Sequence, residues 1–174
     1  YNKVIFSTRP TDWPEHDRHL GFENHTFTSR ESDWIVPEMI KFVDQTGDRP
    51  FFLFCHALDP HGPYHTRAGF DFGTSSRERY DSEIAHTDAQ IRILWKAIEK
   101  RGLAKNTILI ITADHGEAFG ERGLLAHGGP PYDVMCHVPL VYHDPALADA
   151  ARRIDVPINT AQVAATLVDR LGID

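Results

Sequence analysis

Three short apolar runs constrain this chain most: "FFLFCHAL" from residue 51, "ILII" from 108 and "PLVY" from 139. Runs of that length suit strands buried in a sheet better than helices that bury one face. Segments of helical period lie around them. Ile35, Met39, Phe42 and Val43 recur at helical spacing, with Ser32 or Asp33 as the cap, Pro37 in the first turn and Gly47 at the stop. Between the first two runs, Tyr80, Ile84, Ile91, Leu94, Trp95 and Ile98 form one stripe from about Ser76 to Arg101, closed by Gly102. A last helix is expected near Thr160 to Leu171, ending at Gly172. Strands alternating with helices predict an α/β fold whose sheet is at least partly parallel.

The remaining sequence adds smaller expectations. Residues 1–33 read as an irregular lead-in in which only "KVIF" suggests a strand. Asp88 interrupts the long stripe, four after Ile84 and three before Ile91, and is expected as a buried hydrogen-bonding post. Cys55 and Cys136 sit beside apolar runs without CxxC or zinc-type spacing, so both are expected as buried, reduced thiols. A net charge of −7 with scattered basic residues argues against nucleic-acid binding. An anionic substrate remains compatible with it, because a bound cation dominates the local field. No apolar run approaches the ~20 residues of a membrane span.

The chemistry gathers where the runs end. In open α/β sheets, ligands collect outside the carboxyl ends of strands. The first run ends in "HALDPHGPY", which delivers His56, Asp59 and His61; the second ends in "ADHGEAFGERGLLAHGG", which delivers Asp114, His115, Glu117, Glu121, Arg122 and His127. Neighbouring residues of a strand point to opposite faces, so Asp114 and His115 can share an ion only where the backbone turns, and Gly116 permits a turn there. A carboxylate with an imidazole suits Mn²⁺ or Zn²⁺; Ca²⁺ or Mg²⁺ would need oxygens for the remaining ligands. The competing reading is a strand-end Asp that caps a turn beside an incidental histidine. Pro60 and Pro63 stiffen the loop around His61, which suits either a held acid-base group or a surface turn. His127 lies beside glycines that let backbone approach a ligand, and as an imidazolium it can bind an anion. Glu117 and Glu121 read as carboxylates that complement backbone N–H groups, and Arg122 as a side chain facing water.

Three segments taken together, "PFFLFCHALDPHGPY", "RYDSEIAHTDAQIRILWKAIEKRGLAKNTILIITADHGEAFGERG" and "HGGPPYDVMCHVPLV", resemble in order and spacing the later part of the sulfatase family in the alkaline-phosphatase superfamily. The resemblance covers roughly residues 34–174 and includes "INTAQVAATLVDRLGI" as the following helix. It implies an alkaline-phosphatase-like sandwich with a largely parallel central sheet flanked by helices, incomplete over this length. It implies that Asp114 and His115 are metal ligands, with calcium the family's habitual cation and manganese or zinc the alternatives. His61 matches the histidine near the leaving-group oxygen, a general acid. His127 falls where many sulfatases carry a substrate-binding lysine, and the histidine departs from that pattern. "HG" followed by "PY" is also similar to phosphoethanolamine and phosphoglycerol transferases of the same superfamily.

Sulfatases carry a Cys-x-Pro-x-Arg or Ser-x-Pro-x-Arg motif whose first residue becomes formylglycine. Neither "CHALD" nor "CHVPL" fits it, so the nucleophile is expected upstream of Tyr1 and the chain alone is expected to be inactive on aryl sulfates. The leading expectation is a hydrolase of small-molecule or carbohydrate sulfate esters. A phosphonate or phosphodiester hydrolase, or a phosphoethanolamine or phosphoglycerol transferase, of the same superfamily is the second, and a non-catalytic α/β binding domain the third.

Overall fold

The computed structural model describes residues 2–7, 24–27, 31–147 and 151–173, the first two segments by their backbone. Its elements in chain order are β1 (Asn2–Ser7), β2 (Asn24–Phe27), α1 (Ser32–Thr46), β3 (Phe51–His56), α2 (Ser76–Lys100), β4 (Leu109–Thr112), β5 (Ala118–Phe119), β6 (Leu125–Ala126), α3 (Asp133–Cys136), β7 (Leu140–His143) and α4 (Gln162–Leu171). A parallel sheet runs in the order β2–β1–β3, with Val4 opposite Leu53 and Ser7 opposite His56. β4 and β7 pair antiparallel, Leu109 opposite His143, and β5 with β6 makes a short hairpin. The lead-in is therefore not wholly irregular: it supplies two parallel strands. "NHTF" at β2 is short and mostly polar, and it offers no alternation for a sequence reading to detect.

The core forms where α1 meets α2 and one face of β3. Ile35, Val36 and Met39 of α1 pack with Leu94 and Ile98 of α2, and Leu53 and Cys55 of β3 lie against them. Ile35 is fully buried, a burial that contributes about 1.5–3 kcal/mol. β3 was expected to be covered on both faces, yet Phe52 and Phe54 are exposed, because α1 and α2 cover only the Leu53–Cys55 side. α2 begins with a reciprocal capping box: Glu78 N–H donates to Ser75 Oγ at 3.2 Å, and Ser75 N–H donates to Glu78 Oε2 at 2.8 Å. It ends as expected, before Gly102 at φ +70°.

Three expectations need correction. The cap of α1 is neither Ser32 nor Asp33; Glu31 occupies the cap position, and the Ser32 N–H donates at 2.9 Å to Asp59, 27 residues on. Asp88 is no buried post: its side chain is 69% exposed and pairs with Arg92 one turn on. The buried carboxylate of α2 is Glu83, beside the buried Ser82, while Ile84 faces outward. The stripe thus rotates off the apolar positions in the first turns, where the helix covers a charged loop. Cys136 is exposed, and Cys55 is half-buried with its thiol pushed up to about 12, first by burial and then by Asp59; both are free thiols.

That charged loop follows β3 and is held by Arg67. Its guanidinium bonds Asp59 at 3.0 Å and Glu83 at 3.1 Å, and reaches Glu31 as well. The side chains of Asp59 and Glu83 are only 1% and 2% exposed. Two backbone N–H groups of the loop complete the knot, Arg67 to Ser82 Oγ at 2.7 Å and His65 to Glu83 Oε1 at 3.0 Å. Burial pushes the Glu83 carboxyl up, against the pull of the His65 N–H and Arg67. Removing one partner of such a set leaves an uncompensated buried charge. Arg67→Met is expected to cost about 3–5 kcal/mol, read as a lower midpoint in chemical denaturation; an unchanged midpoint would show that the loop is held by other means.

Candidate active site

β3 and β4 bring their carboxyl ends together. His56, the last residue of β3, lies with Nε2 3.8 Å from Asp114 Oδ2, and His115 Nε2 lies 3.9 Å from the same oxygen. Asp114 lies two residues past the end of β4, and its Oδ1 accepts the His115 N–H at 3.1 Å, an interaction that fixes the carboxylate at the strand end. The Asp114 side chain is 57% exposed. His115 Nδ1 donates to the Gly116 carbonyl at 2.8 Å, since a carbonyl oxygen only accepts. In the neutral ring this leaves the lone pair on Nε2, the form a metal ligand needs.

Gly116 matters for a reason other than turning freedom. A side chain there would meet the Val134 carbonyl oxygen at 2.1 Å, and the Gly116 N–H donates to Met135 O at 2.7 Å. The glycine lets the segment after β4 dock on α3. Gly116→Ala is expected to cost about 1–3 kcal/mol by overpacking, measured as a lower Tm; no change would mean that α3 yields freely.

Three imidazoles complete the cluster. His115 and His127 stack with centroids 4.2 Å apart and planes at 27°, and His61 sits 5.7 Å from His127. The sequence positions His61, Asp114, His115 and His127 are therefore gathered in one place, with His56 beside them. His61 Nδ1 donates to the Gly62 carbonyl at 2.8 Å, so any proton given up from Nε2 comes from the doubly protonated ring. Asp59, from the same loop, is not part of the cluster; it belongs to the Arg67 knot.

Glu117 is the residue sequence reasoning placed wrongly. It does not complement backbone N–H groups. Its side chain is 5% exposed, and Oε2 accepts the Tyr64 O–H at 2.5 Å and faces His127 Nδ1 at 3.3 Å. Burial, then the Glu117 carboxylate, pushes the Tyr64 hydroxyl up, so it remains a donor. The Tyr64 ring packs on Tyr80 of α2 and Phe119 of β5. Glu121 behaves as expected: the Phe119 N–H at 2.6 Å, its own N–H and Arg77 hold its carboxyl below the usual range. Arg122 is exposed, as expected, with its guanidinium 4.5 Å over the Tyr132 ring.

As a holder of metal, the cluster presents one solvent-exposed carboxylate, Asp114, and the His115 imidazole, whose Nε2 lies 3.9 Å from it. Among the described residues, no three His, Cys, Asp or Glu side chains are grouped so as to hold an ion by themselves. Asp114 and His115 fit a half-site that further ligands would complete. None of the helices among the described residues is long and apolar enough to cross a membrane.

Comparison with known proteins gives the family. The sulfatase profile matches residues 7–173, and the chain belongs to the sulfatase family. Human iduronate 2-sulfatase is 36% identical over 86 residues, which is 49% of this chain and 15% of that protein. Ps i-CgsB, solved in complex with k-i-k-neocarrahexaose, superposes with a TM-score of 0.75 at 16% identity, over all of this chain and 51% of that one. The phosphonate monoester hydrolase of Agrobacterium radiobacter gives 0.75 at 21% identity, over 99% of this chain and 56% of that one. An alkaline-phosphatase-superfamily protein from Vibrio parahaemolyticus gives 0.73 at 17% identity, over all of this chain and 45% of that one. The fold is alkaline-phosphatase-like, and the chain spans about half the length of these solved relatives. The family match starts at residue 7, so it takes in much of the lead-in.

Proposed function

We propose that this chain contributes the proton donor, half of the metal site and an anion-binding imidazole to a hydrolase of sulfate esters. The observation that carries this reading is the gathering of His61, Asp114, His115 and His127 at the ends of β3 and β4, within a chain that belongs to the sulfatase family. Asp114 and His115 would hold a divalent cation, calcium by family habit or manganese or zinc by the chemistry of the pair. Such an ion, when bound, neutralises charge on the ester's non-bridging oxygens. His127 binds the sulfate group, and His61 protonates the departing alkoxide from Nε2. The nucleophile, a formylglycine, is expected from outside these 174 residues.

Sulfated carbohydrate is the substrate class we favour. Two relatives support it by name, iduronate 2-sulfatase and Ps i-CgsB in complex with neocarrahexaose. A phosphorus ester is the second reading, supported by the fold shared with the phosphonate monoester hydrolase and by a histidine at position 127.

Two measurements on the complete enzyme test these roles. Asp114→Ala is expected to abolish stoichiometric binding of the dication in calorimetry; full-strength binding would remove Asp114 from the metal site. His61→Ala is expected to lose about 10²–10⁴ in rate on alkyl sulfates and far less on nitrophenyl sulfate, whose leaving group needs no proton. Equal losses on both would exclude proton donation.

A further inference from the structure

Glu117 stands apart from the other carboxylate of the cluster. Asp114 is open to solvent, whereas the Glu117 side chain is 5% exposed and its Oε1 is buried without a hydrogen-bond partner. An unpaired buried oxygen costs about 1–3 kcal/mol, so packing alone does not account for a carboxylate at this position. Its other oxygen receives two groups, the Tyr64 O–H from the loop after β3 and the ring edge of His127.

We propose that Glu117, held by Tyr64, is the positioning residue of His127, fixing which ring edge is offered to the substrate anion. This rests on the reading of His127 as the anion-binding group. A carboxylate accepts and does not donate, so the Nδ1 that faces it carries the hydrogen, and Nε2 becomes the outward edge. Stacking on His115 fixes the plane of the ring, and the bond to Glu117 fixes its rotation within that plane. The backbone agrees: Ala126, immediately before, is held at φ +60°, a strained placement for a residue with a side chain. An imidazole has two unlike nitrogens and a flat ring, and it binds an anion well only when both are set in advance.

The test is a double-mutant cycle in the complete, metal-loaded enzyme with nitrophenyl sulfate as the probe. The non-bridging sulfate oxygens are charged in ground and transition states alike, so a weakened His127 contact is uniform binding and appears in KM. Glu117→Gln is expected to raise KM about 10–100-fold with kcat nearly unchanged. The same substitution in a His127→Ala background is expected to do almost nothing further. Equal losses in both backgrounds, or a fall in kcat at constant KM, would overturn the positioning role. If His127→Ala itself leaves KM unchanged, the anion-binding reading fails; if it raises KM while Glu117→Gln is silent, only the role of Glu117 fails. Should Glu117→Gln not fold, nitrogen NMR of the His127 ring in the unmodified enzyme decides. A hydrogen on Nδ1 supports the proposal, and a tautomer protonated only at Nε2 ends it.

Discussion

The loop after β3 has few apolar side chains of its own, and its shape depends on the ion knot around Arg67. Asp59 and Glu83 are almost fully buried and come from opposite sides, one from the loop and one from α2. One terminal nitrogen of the guanidinium bonds both while the other reaches Glu31, a three-way arrangement that a lysine's compact ammonium would not reproduce with the same geometry. Asp59 also takes the N-terminal N–H of α1, so the knot joins the loop to both core helices. His61 lies two residues beyond that anchor. Its placement beside His127 is therefore inherited from charges that take no part in the chemistry.

A second tie holds the far side of the same loop. Tyr64 bonds Glu117, 53 residues away, and this hydrogen bond links the segment leaving β3 to the segment leaving β4. Between Asp59 and Tyr64 the chain is only long enough to present His61. The cluster then divides its carboxylates by burial. The exposed Asp114 lies near His56 and His115 and suits an ion that must enter and keep other ligands. The buried Glu117 lies near His127 and suits a fixed bond, because exclusion of water strengthens it.

Much of this was legible in the sequence, and the failures share a cause. The apolar runs and the helical stripes located β3, β4, β7, α1, α2 and α4, because each carries its apolar residues in a run or at a period that local pattern reveals. The residues of the cluster were legible as a list, because strand ends in α/β folds collect chemistry. Partners far apart in sequence were not. Asp88 was expected as a buried post, and Glu83 was not considered, because the stripe was extended through turns where the helix buries polar groups against the loop. Ser32 or Asp33 was read as the cap because nothing local points to Asp59. Glu117 was taken for a backbone-capping carboxylate because its partners, Tyr64 and His127, approach only after two strands align.

The charge balance of the cluster bears on why related enzymes act on sulfur and on phosphorus. A sulfate monoester and a phosphonate monoester each present one negative charge on non-bridging oxygens, and both release an alkoxide that needs a proton. A group that binds those oxygens and a group that protonates the leaving oxygen serve either substrate, so the roles proposed for His127 and His61 do not by themselves discriminate between them.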